Sequence, residues 1–196
     1  VTSDGAIKKT PLEDFKNIRR TGIIAMSLKK GDALKWARLT TGADQIMLTT
    51  EGGQSIRFNE SQARPMGRTA AGVRAIKLKK DDKVAGFDII KKGVDAKKTM
   101  VLVVMTNGFG KQTSLSEYKV QNRGGSGIKT ANVTAKTGKL IASRVVDEEE
   151  DLFALSQKGQ VIRTELVSVR KTGRSAQGVR VMDLKSGDKL AAIAIL

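Results

Sequence analysis

Four polar segments of this chain combine cationic side chains, glycine and small hydroxyl residues at matched spacing. The second is Arg64-Pro65-Met66-Gly67-Arg68-Thr69-Ala70-Ala71-Gly72-Val73-Arg74, and the fourth is Arg170-Lys171-Thr172-Gly173-Arg174-Ser175-Ala176-Gln177-Gly178-Val179-Arg180. The third, Lys119-Val120-Gln121-Asn122-Arg123-Gly124-Gly125-Ser126-Gly127-Ile128-Lys129, follows the same plan, and the first, Lys16-Asn17-Ile18-Arg19-Arg20-Thr21-Gly22, is shorter. Such a mixture suits phosphate. Guanidinium forks supply paired donors, glycine lets backbone N–H groups come close, and hydroxyl donors adapt. One segment alone would read as a tight turn whose arginines shield a strand edge. Four in phase point to a polyanion.

Composition agrees and narrows the chemistry. The 196 residues carry a formal charge of +16, and basic residues exceed acidic ones in every quarter of the chain. A basic tail would gather that charge at one end, whereas here each segment has its own patch. There is no His and no Cys, so no Ser-His triad, Cys-His dyad, disulfide or His- or thiolate-ligated zinc can be built. Aromatic residues are 4%, too few for a platform that stacks single-stranded bases. No apolar run approaches transmembrane length, and no signal peptide is expected.

Lone candidates read as structural. Tyr118 is the only tyrosine, but Leu115-Ser116-Glu117-Tyr118-Lys119 matches Leu12-Glu13-Asp14-Phe15-Lys16, where Phe serves. Packing is the expected role. Asp32, Asp82 and Asp188 recur where turns are expected, a position Asp takes for backbone reasons. Trp36 falls on an expected strand, Ala33–Leu39, as a core or inter-unit contact. The run Asp147-Glu148-Glu149-Glu150-Asp151 reads as a solvated connector, with a metal site, a regulatory site or a DNA-repelling patch as the alternatives. No catalytic, cofactor-binding or metal-binding residue is expected within the chain.

The elements that must carry the loops follow from two glycine series. Gly22, Gly72, Gly127 and Gly178 lie 50, 55 and 51 residues apart, and Gly5, Gly53, Gly108 and Gly159 run in phase upstream. A repeat of about 40–50 residues made of short strands suggests propeller blades or a related radial array. In the second repeat, Gln45–Thr50 and Gln54–Phe58 read as a hairpin about Glu51-Gly52-Gly53. A second hairpin is expected from Gly72–Leu78 and Lys83–Ile90 about Lys80-Asp81-Asp82. The plan recurs at Val101–Met105, Lys111–Thr113, Ile128–Val133 and Leu140–Val146. It recurs again at Leu152–Ser156, Gln160–Thr164, Val179–Leu184 and Lys189–Ile195. The expectation is one all-β repeat domain of four-stranded blades, at about residues 1–44, 45–98, 99–149 and 150–196. The first repeat lacks most of one strand, so the chain is expected to start inside a longer parent.

The loops also resemble a known family. Met47-Leu48-Thr49-Thr50, Gly53-Gln54-Ser55-Ile56-Arg57-Phe58, Arg64-Pro65-Met66-Gly67-Arg68 and Gly72-Val73-Arg74 closely resemble the C-terminal domain of bacterial DNA gyrase A proteins. So do Thr106-Asn107-Gly108-Phe109-Gly110-Lys111 and Val161-Ile162-Arg163-Thr164, and the likeness covers essentially the whole chain. It implies a β-pinwheel, a propeller-like disc with an altered strand connection, of which four repeats of a usual six are present. It implies wrapping of duplex DNA on a basic rim, which gives ATP-driven strand passage its negative supercoiling direction. The implied setting is the bacterial cytoplasm, near the nucleoid. The implied partners are duplex DNA and the rest of the gyrase A and gyrase B proteins in an A2B2 holoenzyme, with no membrane and an isolated fragment that is monomeric. No cofactor is expected here, since the catalytic tyrosine, ATP and magnesium belong to other parts of such an enzyme. The family's wrapping motif, Gln-Arg-Arg-Gly-Gly-Lys-Gly, has a partial copy in Gln121-Asn122-Arg123-Gly124-Gly125-Ser126-Gly127, with Asn122 and Ser126 in place of cations. The related topoisomerase IV protein shares the fold and is the alternative within the resemblance.

The expected DNA contacts are Arg57, Arg64, Arg68, Arg74, Lys111, Lys119, Gln121, Arg123, Gly124, Gly125, Lys129, Arg163, Arg170, Lys171, Arg174 and Arg180. Two or three phosphates per blade would give a log–log salt slope on the order of −7 to −11. The rival readings are a protein-interaction propeller with an acidic partner and an RNA-binding array.

Overall fold

The structure is a computed structural model that describes residues 1–146 and 151–196. Four of the five residues in the acidic run, 147–150, therefore lie outside the described residues. Strands are β1 (Ala6–Ile7), β2 (Gln45–Thr50), β3 (Gln54–Asn59), β4 (Val73–Arg74), β5 (Val84–Ile90), β6 (Met100–Met105) and β7 (Phe109–Ser114). They continue as β8 (Ile128–Lys129), β9 (Leu140–Val146), β10 (Asp151–Ser156), β11 (Val161–Glu165), β12 (Val179–Arg180) and β13 (Leu190–Ile195).

The second and third blades are four-stranded sheets in the orders β5-β2-β3-β8 and β12-β7-β6-β9. Each outermost strand comes from the following repeat. Thus β8 pairs antiparallel with β3 (Gln54 opposite Lys129), β12 with β7 (Phe109 opposite Arg180), and β4 with β1 (Ala6 opposite Arg74). This corrects the expected second hairpin. The segment opening at Gly72 forms a ladder of two residues on the preceding repeat instead of folding back on Lys83–Ile90. The cause lies at the glycine. Gly72, Gly127 and Gly178 all have φ near +80°, and a Cβ there would sit 2.5, 2.3 and 2.5 Å from the carbonyl oxygens of Ile7, Ser55 and Gly110. Only glycine combines that backbone conformation with so close an approach.

The terminal blades are smaller. β11-β10-β13 makes three strands, and the first repeat has β1 with β4 and a single bridge between Thr2 and Leu34, so the expected strand at Ala33–Leu39 does not form. Trp36 packs half-buried against the first core.

The cores lie between consecutive sheets. β6 is buried along its whole length, and its alternation divides it: Val101, Val103 and Met105 join one core with Met47, Leu115 and Tyr118. Met100, Leu102 and Val104 join the next with Leu152, Leu166 and Met182. Inner strands lock blade to blade through one recurrent bond, from Val84, Leu140 and Leu190 N–H to the carbonyls of Ser3, Glu51 and Thr106, at 2.9, 3.0 and 2.8 Å. β9 approaches β5 so closely that Thr49 Oγ1 lies 2.7 Å from Ser143 Oγ, and a Cβ on Gly86 would fall 2.1 Å from that Oγ.

The turn aspartates do the backbone work expected of them. Asp32 accepts from Asp4 and Ala33 N–H, Asp82 from Gly52 and Lys83, and Asp188 from Lys158 and Lys189. Tyr118 is buried, its hydroxyl 2.7 Å from Thr130 Oγ1, and burial raises its pKa.

Candidate nucleic-acid interface

The second, third and fourth basic loops are each tied down by the repeat before them. Met66, Gln121 and Thr172 donate their N–H to the carbonyls of Lys9, Arg57 and Gln112, at 2.8, 2.7 and 2.9 Å. At the far end Ala75, Thr130 and Val181 donate to the carbonyls of Gly5, Gly53 and Gly108, each at 2.8 Å. Between these anchors the loop crosses the outer edge of the preceding sheet. Because the attachments repeat, equivalent loop residues recur at the rim from blade to blade.

Three in-phase sets of cations result. Arg64, Lys119 and Arg170 lead the loops, and Arg74, Lys129 and Arg180 trail them; all six are exposed. Lys129 Nζ donates to Asn132 Oδ1 at 2.8 Å. Arg180 pairs with Asp183 at 2.8 Å and lies 5.7 Å from the centre of the Phe109 ring. Exposed pairs of this kind hold weakly and leave the cations open to a stronger anion.

The third set, Arg68, Arg123 and Arg174, is half-buried and turned inward. Each Nη1 donates to the carbonyl that ends the preceding repeat's own crossing segment: Arg68 to Ile24 at 3.0 Å, Arg123 to Arg74, and Arg174 to Lys129 at 3.1 Å. These arginines are latches between blades, and Arg123 adds a bond from Nε to Gln62 O at 3.0 Å. In the loops Gln121 Nε2, Thr172 Oγ1 and Arg174 Nε have no hydrogen-bond partner among the described residues. Gly124 donates its N–H to Ala75 O at 2.7 Å, and Gly125 accepts from Lys77 N–H at 2.8 Å, so both serve loop geometry first. Lys171 is exposed beside Arg170 and bridges to Gln112.

One expected contact is overturned, and a second is partly engaged within the fold. Lys111 is fully buried, and its Nζ donates to the carbonyls of Gly173 and Arg174, each at 2.6 Å. Burial, reinforced by the charges of Arg174 and Lys129, pushes its pKa down to about 8 despite Glu117. It cannot reach a phosphate. Arg57 is half-buried, its pKa lowered by burial, and its Nη1 donates to the carbonyls of Leu115 and Tyr118, both at 3.1 Å. That position has one task in three repeats. Lys9 Nζ donates to Glu60 O, and Gln112 Nε2 to the carbonyls of Leu166 and Val169, so each side chain caps a turn in the next repeat. Arg163, the fourth in phase, caps no turn among the described residues and holds Asp151 through Nε and Nη2, at 2.9 and 2.5 Å.

Sequence reasoning missed Lys8. Its Nζ donates to the carbonyls of Ala25, Gly67 and Arg68, and burial lowers its pKa. The signal was present, since Lys8 and Lys111 share a place three residues after Gly5 and Gly108. Among the described residues no group of three or more acidic side chains could hold a metal, and no helix is long and apolar enough to cross a membrane.

Comparison with known proteins agrees with this arrangement. A family model described as the DNA gyrase C-terminal domain, β-propeller, matches residues 1–41, 44–91, 100–147 and 150–196. The DNA gyrase A protein of Staphylococcus epidermidis is 42% identical over 193 residues, covering 98% of this chain and 21% of that protein. Its Mycolicibacterium smegmatis counterpart is 40% identical over 195 residues, covering 98% and 23%. The chain thus spans about a fifth of the length of these relatives. A solved DNA gyrase A C-terminal domain superposes with a TM-score of 0.87 at 24% identity, covering all of this chain and 64% of that one. The C-terminal domain of a DNA topoisomerase IV gives 0.92 at 23%, covering all of this chain and 60% of that one. Those two likenesses establish the fold; the family match and the sequence relatives establish descent. The chain belongs to the family of DNA gyrase C-terminal domains.

Proposed function

We propose that this chain binds and bends duplex DNA along its rim without regard to sequence. In the full-length protein that wrap would give gyrase, an A2B2 assembly with the gyrase B protein, its bias toward negative supercoils. ATP and magnesium would act in other parts of that assembly. The reading rests chiefly on one observation: an exposed cation leads and another trails the loop in three successive repeats, on loops fixed by the same backbone bonds. Phosphates spaced along a bent duplex need such a periodic row of charge, and base edges are not addressed. Bending by 40–90° costs about 1–6 kcal/mol, so several blades must act together.

With Lys111 withdrawn, and Arg57 and the latch arginines partly engaged, six in-phase cations remain as the principal contacts. The expected salt slope is then about −5. Fluorescence titration of long duplex across a salt series measures it. Arg64→Glu with Arg170→Glu, which reverses two leading cations that make no bond the fold requires, should lower affinity roughly a hundredfold and abolish bending while thermal unfolding stays unchanged. Relaxed plasmid closed by a nicking-closing enzyme in the presence of the chain should shift its topoisomers in one direction. A slope near zero, or an unshifted distribution, rejects the proposal.

A further inference from the structure

The loops lie over two different floors. In the acceptor strands, Lys8, Ile56 and Lys111 occupy the same place, one residue beyond the pairs Ile7–Val73, Ser55–Ile128 and Gly110–Val179. Lys8 and Lys111 send Nζ up to loop carbonyls, at Gly67 and Arg68 in one case and Gly173 and Arg174 in the other. The two loops so held have matching sequences, Gly67-Arg68-Thr69-Ala70 and Gly173-Arg174-Ser175-Ala176. Ile56 is fully buried and offers no donor. Above it the loop reads Asn122-Arg123-Gly124-Gly125, and a Cβ on Gly125 would lie 3.9 Å from Ile56 Cδ1. Gly124 there has φ +83° and sends its N–H to Ala75 O, a route the other two loops do not take.

We infer that this acceptor-strand position selects the conformation of the basic loop that the next repeat lays over it. A lysine floor draws two consecutive carbonyls inward and fits the Gly-Arg-Thr/Ser-Ala loop. An isoleucine floor gives the carbonyls nothing, and the loop satisfies itself through a glycine pair that turns the backbone elsewhere. With an aliphatic side chain beneath them, the part-buried carbonyl of Arg174 would lose its donor and that of Gly173 would keep only the N–H of Ala176, so loop and floor must match. Lys8 and Lys111 are thereby positioning residues: they touch no nucleic acid and set where Arg68, Arg170 and Arg174 stand. The consequence for phosphate contact rests on the proposed DNA reading; the pairing of floor and loop does not.

The test uses the whole chain. Lys111→Ile copies the Ile56 floor beneath the wrong loop. A second variant adds Gly173→Asn, Ser175→Gly, Ala176→Gly and Gln177→Ser, which copies the third loop without changing its charge. Hydrogen exchange at the N–H of Thr172, whose bond to Gln112 O has its counterpart in the third loop from Gln121 to Arg57 O, reports loop order independently of DNA. Lys111→Ile should raise exchange there at least tenfold, weaken long-duplex binding about tenfold and flatten the salt slope by about 2, although the removed charge is buried. The loop-matched variant should restore all three. Unchanged exchange in Lys111→Ile, or no restoration by the matched loop, overturns the inference. Exchange that rises and is restored, with DNA affinity constant throughout, upholds the floor-and-loop pairing and rejects the DNA reading instead.

Discussion

Strands β7 and β11 hold the same place in successive repeats and differ in one respect. β7 receives β12 from the next repeat, and β11 receives nothing among the described residues. β7, Phe-Gly-Lys-Gln-Thr-Ser, is buried at all but its last residue. β11, Val-Ile-Arg-Thr-Glu, alternates exposed and half-buried, and Val161 is 60% exposed. The more apolar strand is the more exposed one. Burial in this fold is conferred by the neighbour, as in other repeat proteins where stability is carried across interfaces.

The glycines that open these strands give the sharpest way to break that comparison. Gly108 and Gly159 share a φ near +80°, but a Cβ on Gly108 would lie 2.2 Å from Met182 O, whereas nothing lies within 4 Å of one on Gly159. Gly108→Ala should cost on the order of 3 kcal/mol in urea unfolding, and Gly159→Ala about 1 kcal/mol, the conformational part alone. Equal losses would mean that the strand exchange carries little of the fold. Next in size is the capping position. Gln112→Ala takes the side-chain donor from Val169 O and leaves Leu166 O only the N–H of Val169, and should cost about 2 kcal/mol, while Arg163→Ala, which breaks a surface pair with Asp151, should stay within about 0.5 kcal/mol.

Acid sharpens the comparison at the junction of the first two repeats. Burial alone would raise the pKa of Asp44, but bonds from Thr41 and Lys92 N–H and from Lys91 bring it down to about 2. A carboxylate whose pKa is depressed on folding stabilises fully above its ordinary value near 4, and that stability is lost as pH falls towards 2. Melting curves between pH 5 and pH 2 should therefore fall in the native chain and flatten in Asp44→Asn. The latches give the narrowest contrast. Arg123→Met and Arg174→Met should each cost about 1 kcal/mol, while Arg170→Met, equally basic but unlatched, should be neutral in the same melts.

Much of the site is legible in the residues. Lys119, Arg170, Arg74 and Lys129 flank glycines at constant offsets, and the structure leaves all four exposed. Lys111 was not legible as an inward residue, because a lysine in a strand is ordinarily solvated. Only the arrival of Gly173 and Arg174 from the next repeat encloses it. Lys8 escaped notice for the same reason. The crossing of Gly72-Val73-Arg74 was hidden too, since Asp81 and Asp82 downstream read as an ordinary hairpin turn while the true partner, β1, lies more than sixty residues upstream.

The chain's glycine periods and its surplus of positive charge determined the radial plan of repeats and the basic character of each, and its lack of His and Cys rules out triads, dyads and thiolate sites built from those residues. Those are properties of residue type and spacing, which local backbone preferences and charge express directly. Which arginine latches, which lysine is buried and which cation faces outward was decided only when one repeat closed over another. A side chain's burial depends on atoms brought to it by distant parts of the chain, and no local pattern encodes them.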